Sequence, residues 1–170
     1  GILLDHLAKL SKNQIAVEPN REFKEILNKK YNYFSCISEA IHRYRNKVDF
    51  CFSNQVIEHV DDPFSFLRSI FDLTSPSGSV LLSTPNLDDV LMKILPDDYP
   101  SFFYRTQHRW YFNNSTLAAV AKKVGFINIK VMHIHRYGIS NMLNWVSHKK
   151  PMGNKNLDFR DNHLDVFPHS

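Results

Sequence analysis

Apolar positions along the chain fall into blocks whose spacing switches between helical and extended. In "LLDHLAKL", Leu3, Leu4, Leu7 and Leu10 recur at helical spacing. "QIAVE" is a short apolar run ending in an acid and predicts a strand. Asn20 is placed to cap a helix over "REFKEILNKK". "YNYFSCI" predicts a second strand, "SEAIHRYR" a short helix or turn, and "VDFCFSN" a third strand. The unbroken apolar character of that third strand fits burial on both faces. Asp62 followed by Pro63 reads as a cap and first helical residue for "PFSFLRSIFDL". "SPSG" predicts a turn and "SVLLSTPN" a fourth strand.

Residues 87–113 break this rhythm. "PDDYPSFFYRTQHRWYF" is rich in Asp, Tyr, Phe and Pro, which fits an inserted lid or substrate-facing segment better than a sheet element. "NNSTLAAVAKKVGF" then reads as a capped helix stopped by Gly125. "FINIKVMHIH" alternates and predicts a strand. Beyond Trp145 the chain turns polar and irregular.

Strict alternation of helix and strand with short turns argues for an α/β fold with a doubly wound, mostly parallel sheet covered on both faces. The expected organisation is one domain: a core over 1–134, with 87–113 as its lid, and 135–170 as an extension of the same domain. In such sheets ligands sit outside the carboxyl ends of the strands. Glu18, Cys36 and Ile37, Ser53 with Asn54 and Gln55, and Thr84 to Asn86 all fall at predicted strand ends. The cluster "FSNQVIEHVDDP" is the most telling, because a core strand has no need of so many polar groups at its end.

Composition narrows the classes. The 170 residues are 43% hydrophobic, enough for one domain with a real core. No run approaches the roughly 18 apolar residues of a membrane-spanning helix, so no membrane span is expected. Cys36 and Cys51 are the only cysteines, which fits reduced thiols and a cytoplasmic location rather than a disulfide framework. CxxC and HExxH spacings are absent, and no metal is expected. The net charge of +4 is spread along the chain, and solvated helix faces account for it as well as a nucleic-acid footprint does. A nucleic-acid partner is therefore not expected.

An acid at the end of an early strand in a doubly wound sheet commonly accepts hydrogen bonds from both hydroxyls of a ribose. Glu18 is placed for that, or is simply a surface glutamate before a helix. With "AVEPN" (16–20), "DFCFSNQVIEHVDDPFSFL" (49–67), "SPSGSVLLSTPN" (75–86) and "LAAVAKKVGF" (117–126), the chain resembles the class I S-adenosyl-L-methionine-dependent methyltransferases. The likeness is to their small-molecule group, which includes ubiquinone O-methyltransferases and sugar methyltransferases. "VIEHVDDP" is the most specific stretch.

The resemblance implies a Rossmann-like fold, S-adenosylmethionine (SAM) as methyl donor and S-adenosylhomocysteine (SAH) as product. Glu18 would hold the ribose, Cys36 and Ile37 would border the adenine, and Ser53, Asn54 and Gln55 would line the methionine part. Gly1 would be the last glycine of a glycine-rich loop. The strand and the rest of that loop are not in the sequence, so the resemblance implies an upstream segment and an incomplete N-terminal part of the fold. Glu58 would act directly or fix its loop by a hydrogen bond.

Methyl transfer to a hydroxyl is helped by a general base, and His108 and His59 are the candidates. Each could instead be a packed histidine bonded to a backbone carbonyl. Tyr104, Arg105, Arg109 and Trp110 could contact the acceptor or form the lid's own core. "HRYGISNMLNWVSHKKPMG" (135–153) resembles a segment of methyltransferases associated with surface-polysaccharide biosynthesis. That likeness points Arg136, Tyr137, Asn141 and Trp145 towards a sugar or sugar-nucleotide acceptor. The same segment could simply pack along the sheet edge. A nicotinamide oxidoreductase shares the acid of Glu18 but does not predict "VIEHVDDP". A non-catalytic binding or scaffold domain with a degenerate cofactor site is the alternative from another class.

Overall fold

The computed structural model describes residues 2–7, 11–134 and 138–152. Helix α1 (Ile2–Leu7) precedes strand β1 (Ile15–Val17), a 3-10 turn (Arg21–Phe23) and α2 (Lys24–Asn28). Strand β2 (Asn32–Phe34), α3 (Ile37–Tyr44), β3 (Val48–Asn54), α4 (Pro63–Leu73) and β4 (Thr74–Ser83) follow in alternation. Two short helices, α5 (Val90–Ile94) and α6 (Pro100–Phe103), occupy the expected lid, followed by α7 (Asn114–Val124) and α8 (Ile139–His148).

The expected caps form. Asn20 accepts from the Glu22 N–H, Asp62 accepts from the Phe64 N–H ahead of Pro63, and Asn113 closes a capping box with Thr116. Gly125 ends α7 with φ at 123°, a conformation open to glycine and strained for other residues.

All strand pairing between named strands is parallel, as expected, but the sheet is not continuous. Among the described residues β1 pairs only with β2, and β3 only with β4. Ile15 to Val17 lie beside Asn32 to Phe34, and Phe50 to Asn54 lie beside Ser79 to Ser83. β3 was expected to be buried on both faces, and it is not. Cys51 and Ser53 face the core, while Phe50 is 50% exposed and Phe52 41% exposed beside the exposed Leu81 of β4. One face of the β3–β4 pair is covered by α4 and α7, and the opposite face is open.

Two further expectations fail. "SPSG" is not a free turn: β4 runs from Thr74, and residues 75–78 bulge out of register between the Val48 and Phe50 pairings. Gly78 makes the bulge possible, since a Cβ there would stand 2.7 Å from Thr74 Cγ2 and 2.9 Å from the Val48 carbonyl oxygen. Nor do residues 126–134 form a strand. Alternation gives a strand two faces but no ladder. This stretch pairs with no strand, and Ile127 and Ile134 are each 82% exposed. No helix of the described residues is long and apolar enough to cross a membrane.

Three clusters form the core. Ile57, Leu67, Ile70, Phe112 and Val124 pack under β3–β4, with Cys51, Val80 and Leu82 against them. Leu91, Leu95, Tyr99, Phe103 and Trp145 tie the lid helices to α8. Ala16, Leu27 and Tyr31 form a small cluster beside β1–β2.

Candidate functional site

Strand alternation dictates how the end of β3 presents its polar residues. Ser53 shares the inward face of Cys51, so its hydroxyl is buried, and among the described residues Ser53 Oγ has no hydrogen-bond partner. Asn54 points the other way and its Oδ1 accepts a short hydrogen bond from Ser83 Oγ. Gln55 then turns the chain sharply, with φ at 53°, while its N–H still reaches the Ser83 carbonyl at 2.9 Å. A non-glycine residue held in the left-handed region at a strand end is strain of the kind concentrated at ligand sites.

The loop that follows is anchored by what it buries. Ile57 is fully buried in the main core cluster and Glu58 is 1% exposed. Glu58 Oε2 accepts from Thr84 Oγ1 at 3.1 Å, and Glu58 Oε1 is buried without a hydrogen bond among the described residues. Its backbone carbonyl accepts from the Arg109 N–H at 2.8 Å and the Trp110 N–H at 3.2 Å. The next residue, His59, donates from Nδ1 to the Gln107 carbonyl at 2.9 Å. A carbonyl can only accept, so the neutral ring carries its proton on Nδ1 and leaves a lone pair on Nε2, 3.9 Å from Glu58 Oε1. Trp110 Nε1 donates to the Val60 carbonyl at 2.9 Å, and Arg109 forms an ion pair with Asp61. Residues 58–61 are thus each bound to the segment 107–110.

His108 is held against this loop. Its ring meets the His59 ring edge-on at 4.8 Å, and His108 Nδ1 is buried without a hydrogen bond among the described residues. Burial pushes the His108 pKa below the ordinary histidine value. The nearby His59 and Arg105 act in the same direction, against the opposite pull of Glu58. His108 is therefore a neutral imidazole near neutral pH, able to take up a proton. Glu58, His59 and His108 also bring one oxygen or nitrogen atom each within 4.8 Å of one another, a grouping that no local sequence spacing announces.

The other expected residues divide into those the structure gathers and those it does not. Glu18 follows β1 and its N–H reaches the Phe34 carbonyl at 3.1 Å, which places it at the carboxyl end of the β1–β2 pair. Its Oε1 accepts from the Asn20 N–H at 2.9 Å, and Oε2 accepts no hydrogen bond among the described residues. Cys36 is exposed at the start of α3, with Sγ 3.1 Å from Ser38 Oγ, a contact that lowers the thiol pKa. Ile37 packs against the core cluster under β3–β4.

Tyr104 is half-exposed, edge-on to Tyr111. Arg109 is turned to Asp61, and Asn141 Oδ1 accepts from the Met152 N–H within its own segment. Trp145 is buried among the lid aromatics rather than open to a ligand. Gly1, Arg136 and Tyr137 lie outside the described residues.

Two residues escaped the sequence reading. Tyr111 closes the loop that carries His108, its hydroxyl accepting from the Arg105 N–H at 2.7 Å and donating to the Arg105 carbonyl at 3.2 Å. His133 Nδ1 accepts from Asn86 Nδ2 at 3.3 Å, bringing another imidazole to the end of β4. The Asn86–His133 link joins residues 47 positions apart, one of them in a stretch read as a strand, whereas the Tyr111–Arg105 link is a local closure within the expected lid that no motif marks.

Residues 1–131 match a protein family described as a methyltransferase domain. The human mitochondrial ubiquinone biosynthesis O-methyltransferase is 23% identical over 74% of this chain, and the chain spans 38% of that protein's length. The Bos taurus protein of the same name is 26% identical over 51% of this chain, which spans 26% of it. Among solved structures, a SAM-dependent methyltransferase from Archaeoglobus fulgidus superposes with a TM-score of 0.59 at 18% identity. That match covers 75% of this chain and 57% of the other.

Proposed function

The chain belongs to the methyltransferase-domain family, and we propose on that premise that it transfers a methyl group from SAM to a hydroxyl of a small-molecule acceptor. Its α/β fold is that of the class I enzymes of this kind, Rossmann-like with parallel strand pairs. SAM supplies an activated methyl group on a sulfonium.

The residues present fit that donor. Ser53 Oγ is a buried hydroxyl lacking a partner at the strand end, and Glu18 Oε2 is a carboxylate oxygen with no donor of its own. Glu18 would accept from the ribose hydroxyls, and Ser53, Asn54 and Gln55 would hold the amino-acid part. Cys36 and Ile37 would border the base, with Ile37 contributing through its backbone because its side chain packs into the core. Chemistry of this type asks the protein mainly to align the acceptor and exclude water. The neutral His108 and the Nε2 lone pair of His59 are the groups available to take the hydroxyl proton.

The observation that carries the reading is the convergence of Ser53, Glu58, His59 and His108 at the carboxyl end of β3 and β4. For the acceptor we favour a sugar or surface-polysaccharide precursor, supported by the likeness of residues 135–153 to methyltransferases of that setting. Tyr104, Arg109, Arg136, Tyr137 and Asn141 would contact it. The names of the curated relatives favour a second reading, a hydroxyl on a ubiquinone-type ring.

Calorimetric titration with SAH tests the cofactor reading. Wild type is expected to bind, and Glu18→Ala to bind about tenfold more weakly, a loss of about 1.4 kcal/mol. A native chain that carries the upstream glycine loop and still binds no SAH would replace the enzyme reading by that of a scaffold domain. A screen of sugar nucleotides against phenolic acceptors then separates the two acceptor classes.

A further inference from the structure

Glu58 joins two parts of the molecule, the end of β4 and the segment 107–110. Its carboxylate accepts from Thr84, which directly follows Ser83, the residue bonded to both Asn54 and Gln55. Its backbone carbonyl holds the Arg109 and Trp110 amides. It is 1% exposed, and among the described residues Oε1 makes no hydrogen bond, with His59 Nε2 3.9 Å away. An apolar side chain would fill such a position at lower cost, because a buried carboxylate with a single hydrogen bond is poorly compensated. The position is therefore not explained by packing.

We propose that Glu58 is a positioning residue that passes occupancy of the strand ends at Ser53–Gln55 and Ser83–Thr84 to the segment 107–110, setting His108, Arg109 and Trp110 for the acceptor. The inference rests on the reading of Ser53–Gln55 as cofactor-side residues. The path is a run of direct hydrogen bonds: Gln55 to Ser83, then Thr84 to Glu58, then Glu58 to Arg109 and Trp110. His59 to Gln107 and Trp110 Nε1 to Val60 run in parallel with it. A ligand shifts a distant segment only if it contacts the two arrangements differently. Here the ligand would meet Ser53, whose hydroxyl lacks a partner, and Gln55, whose backbone is strained. The consequence is an ordered reaction, in which the donor site fills first and the acceptor wall is set by that event.

Hydrogen exchange on the whole chain, with SAH as the probe, tests this without an acceptor. In wild type, SAH is expected to slow exchange of the Arg109 and Trp110 amides by about fivefold or more. Glu58→Gln keeps an oxygen for Thr84 and the same backbone carbonyl, and should keep the response. Glu58→Ala should still bind SAH but lose the response. Thr84→Val, which leaves Glu58 in place and cuts the link from the other side, should weaken it.

A merely structural Glu58 would give faster exchange in Glu58→Ala with and without SAH, and an undiminished slowing on SAH addition. That result overturns the proposal. So does wild type that binds SAH with no change at these amides, or a response abolished by EDTA and restored by a divalent cation. A native chain that carries the upstream glycine loop and still binds no SAH in calorimetry overturns the cofactor reading and this inference together.

Discussion

The two strand pairs differ in how much structure stands behind them. β3 and β4 carry seven and ten residues, and five buried residues from four different segments close the core beneath them. β1 and β2 carry three residues each and rest on Ala16, Leu27 and Tyr31. The candidate site residues follow the same division. At the end of β3, Ser53 and Glu58 are buried and their loop is bonded across to residues 107–110. At the ends of β1 and β2, Glu18 is half-exposed and Cys36 is open to water. The lesson is that the residues proposed to act on the reacting atoms are held by a deep core, whereas those proposed to grip the cofactor by its edge rest on a strand end.

Four substitutions test that contrast. Leu67 lies in the deep cluster, and Leu67→Ala should cost about 2–5 kcal/mol in chemical unfolding; Leu27→Ala in the small cluster should fall at the low end, about 2 kcal/mol. Equal losses would mean that the two pairs are equally supported. Next, Asn113→Ala removes the capping box of an eleven-residue helix and should cost about 1 kcal/mol. Asn20→Ala, which uncaps only a three-residue turn, should cost a few tenths of that order.

The smallest effect on stability, and the clearest chemical one, is thiol reactivity. The Ser38 hydroxyl beside Cys36 lowers its pKa, whereas burial raises that of Cys51. The thiolate of Cys36 therefore forms at lower pH than an ordinary thiol, and that of Cys51 at higher pH. Iodoacetamide in a rising pH series should label Cys36 first, as read by peptide mass. Labelling of Cys51 first, in folded protein, would show that the deep pair is more open than its packing indicates.

Local signals were legible and distant ones were not. Asp62 and the cap of "NNSTLAAVAKKVGF" announced their helices, Asn20 a 3-10 turn ahead of α2, and Gly125 the end of α7, because caps are settled within one turn of chain. The polar run after β3 marked the candidate site for the same reason. What escaped is long-range. The bonds of Glu58 to Arg109 and of His59 to Gln107 join residues about fifty positions apart, and nothing in either stretch encodes the other. The failed strand at 126–134 makes the same point. Its alternation is clear, yet a strand exists only with a partner, and pattern cannot supply one. Phe50 and Phe52 were misjudged because an apolar run reports that burial is favourable, not that a neighbour is there to provide it.

The same separation sets an order of events in time. Strand β3, helix α4 and strand β4 make their mutual contacts within residues 48–83, so the loop closure needed to form them is short and fast. The bonds from loop 55–61 to residues 107–110 must close a further loop of about fifty residues, and they need the first unit as their template. The site should then be the last region to mature during refolding. Trp110, whose indole bonds to Val60 only in the finished structure, should change its emission after the far-ultraviolet helical signal has recovered, and simultaneous recovery would contradict this order.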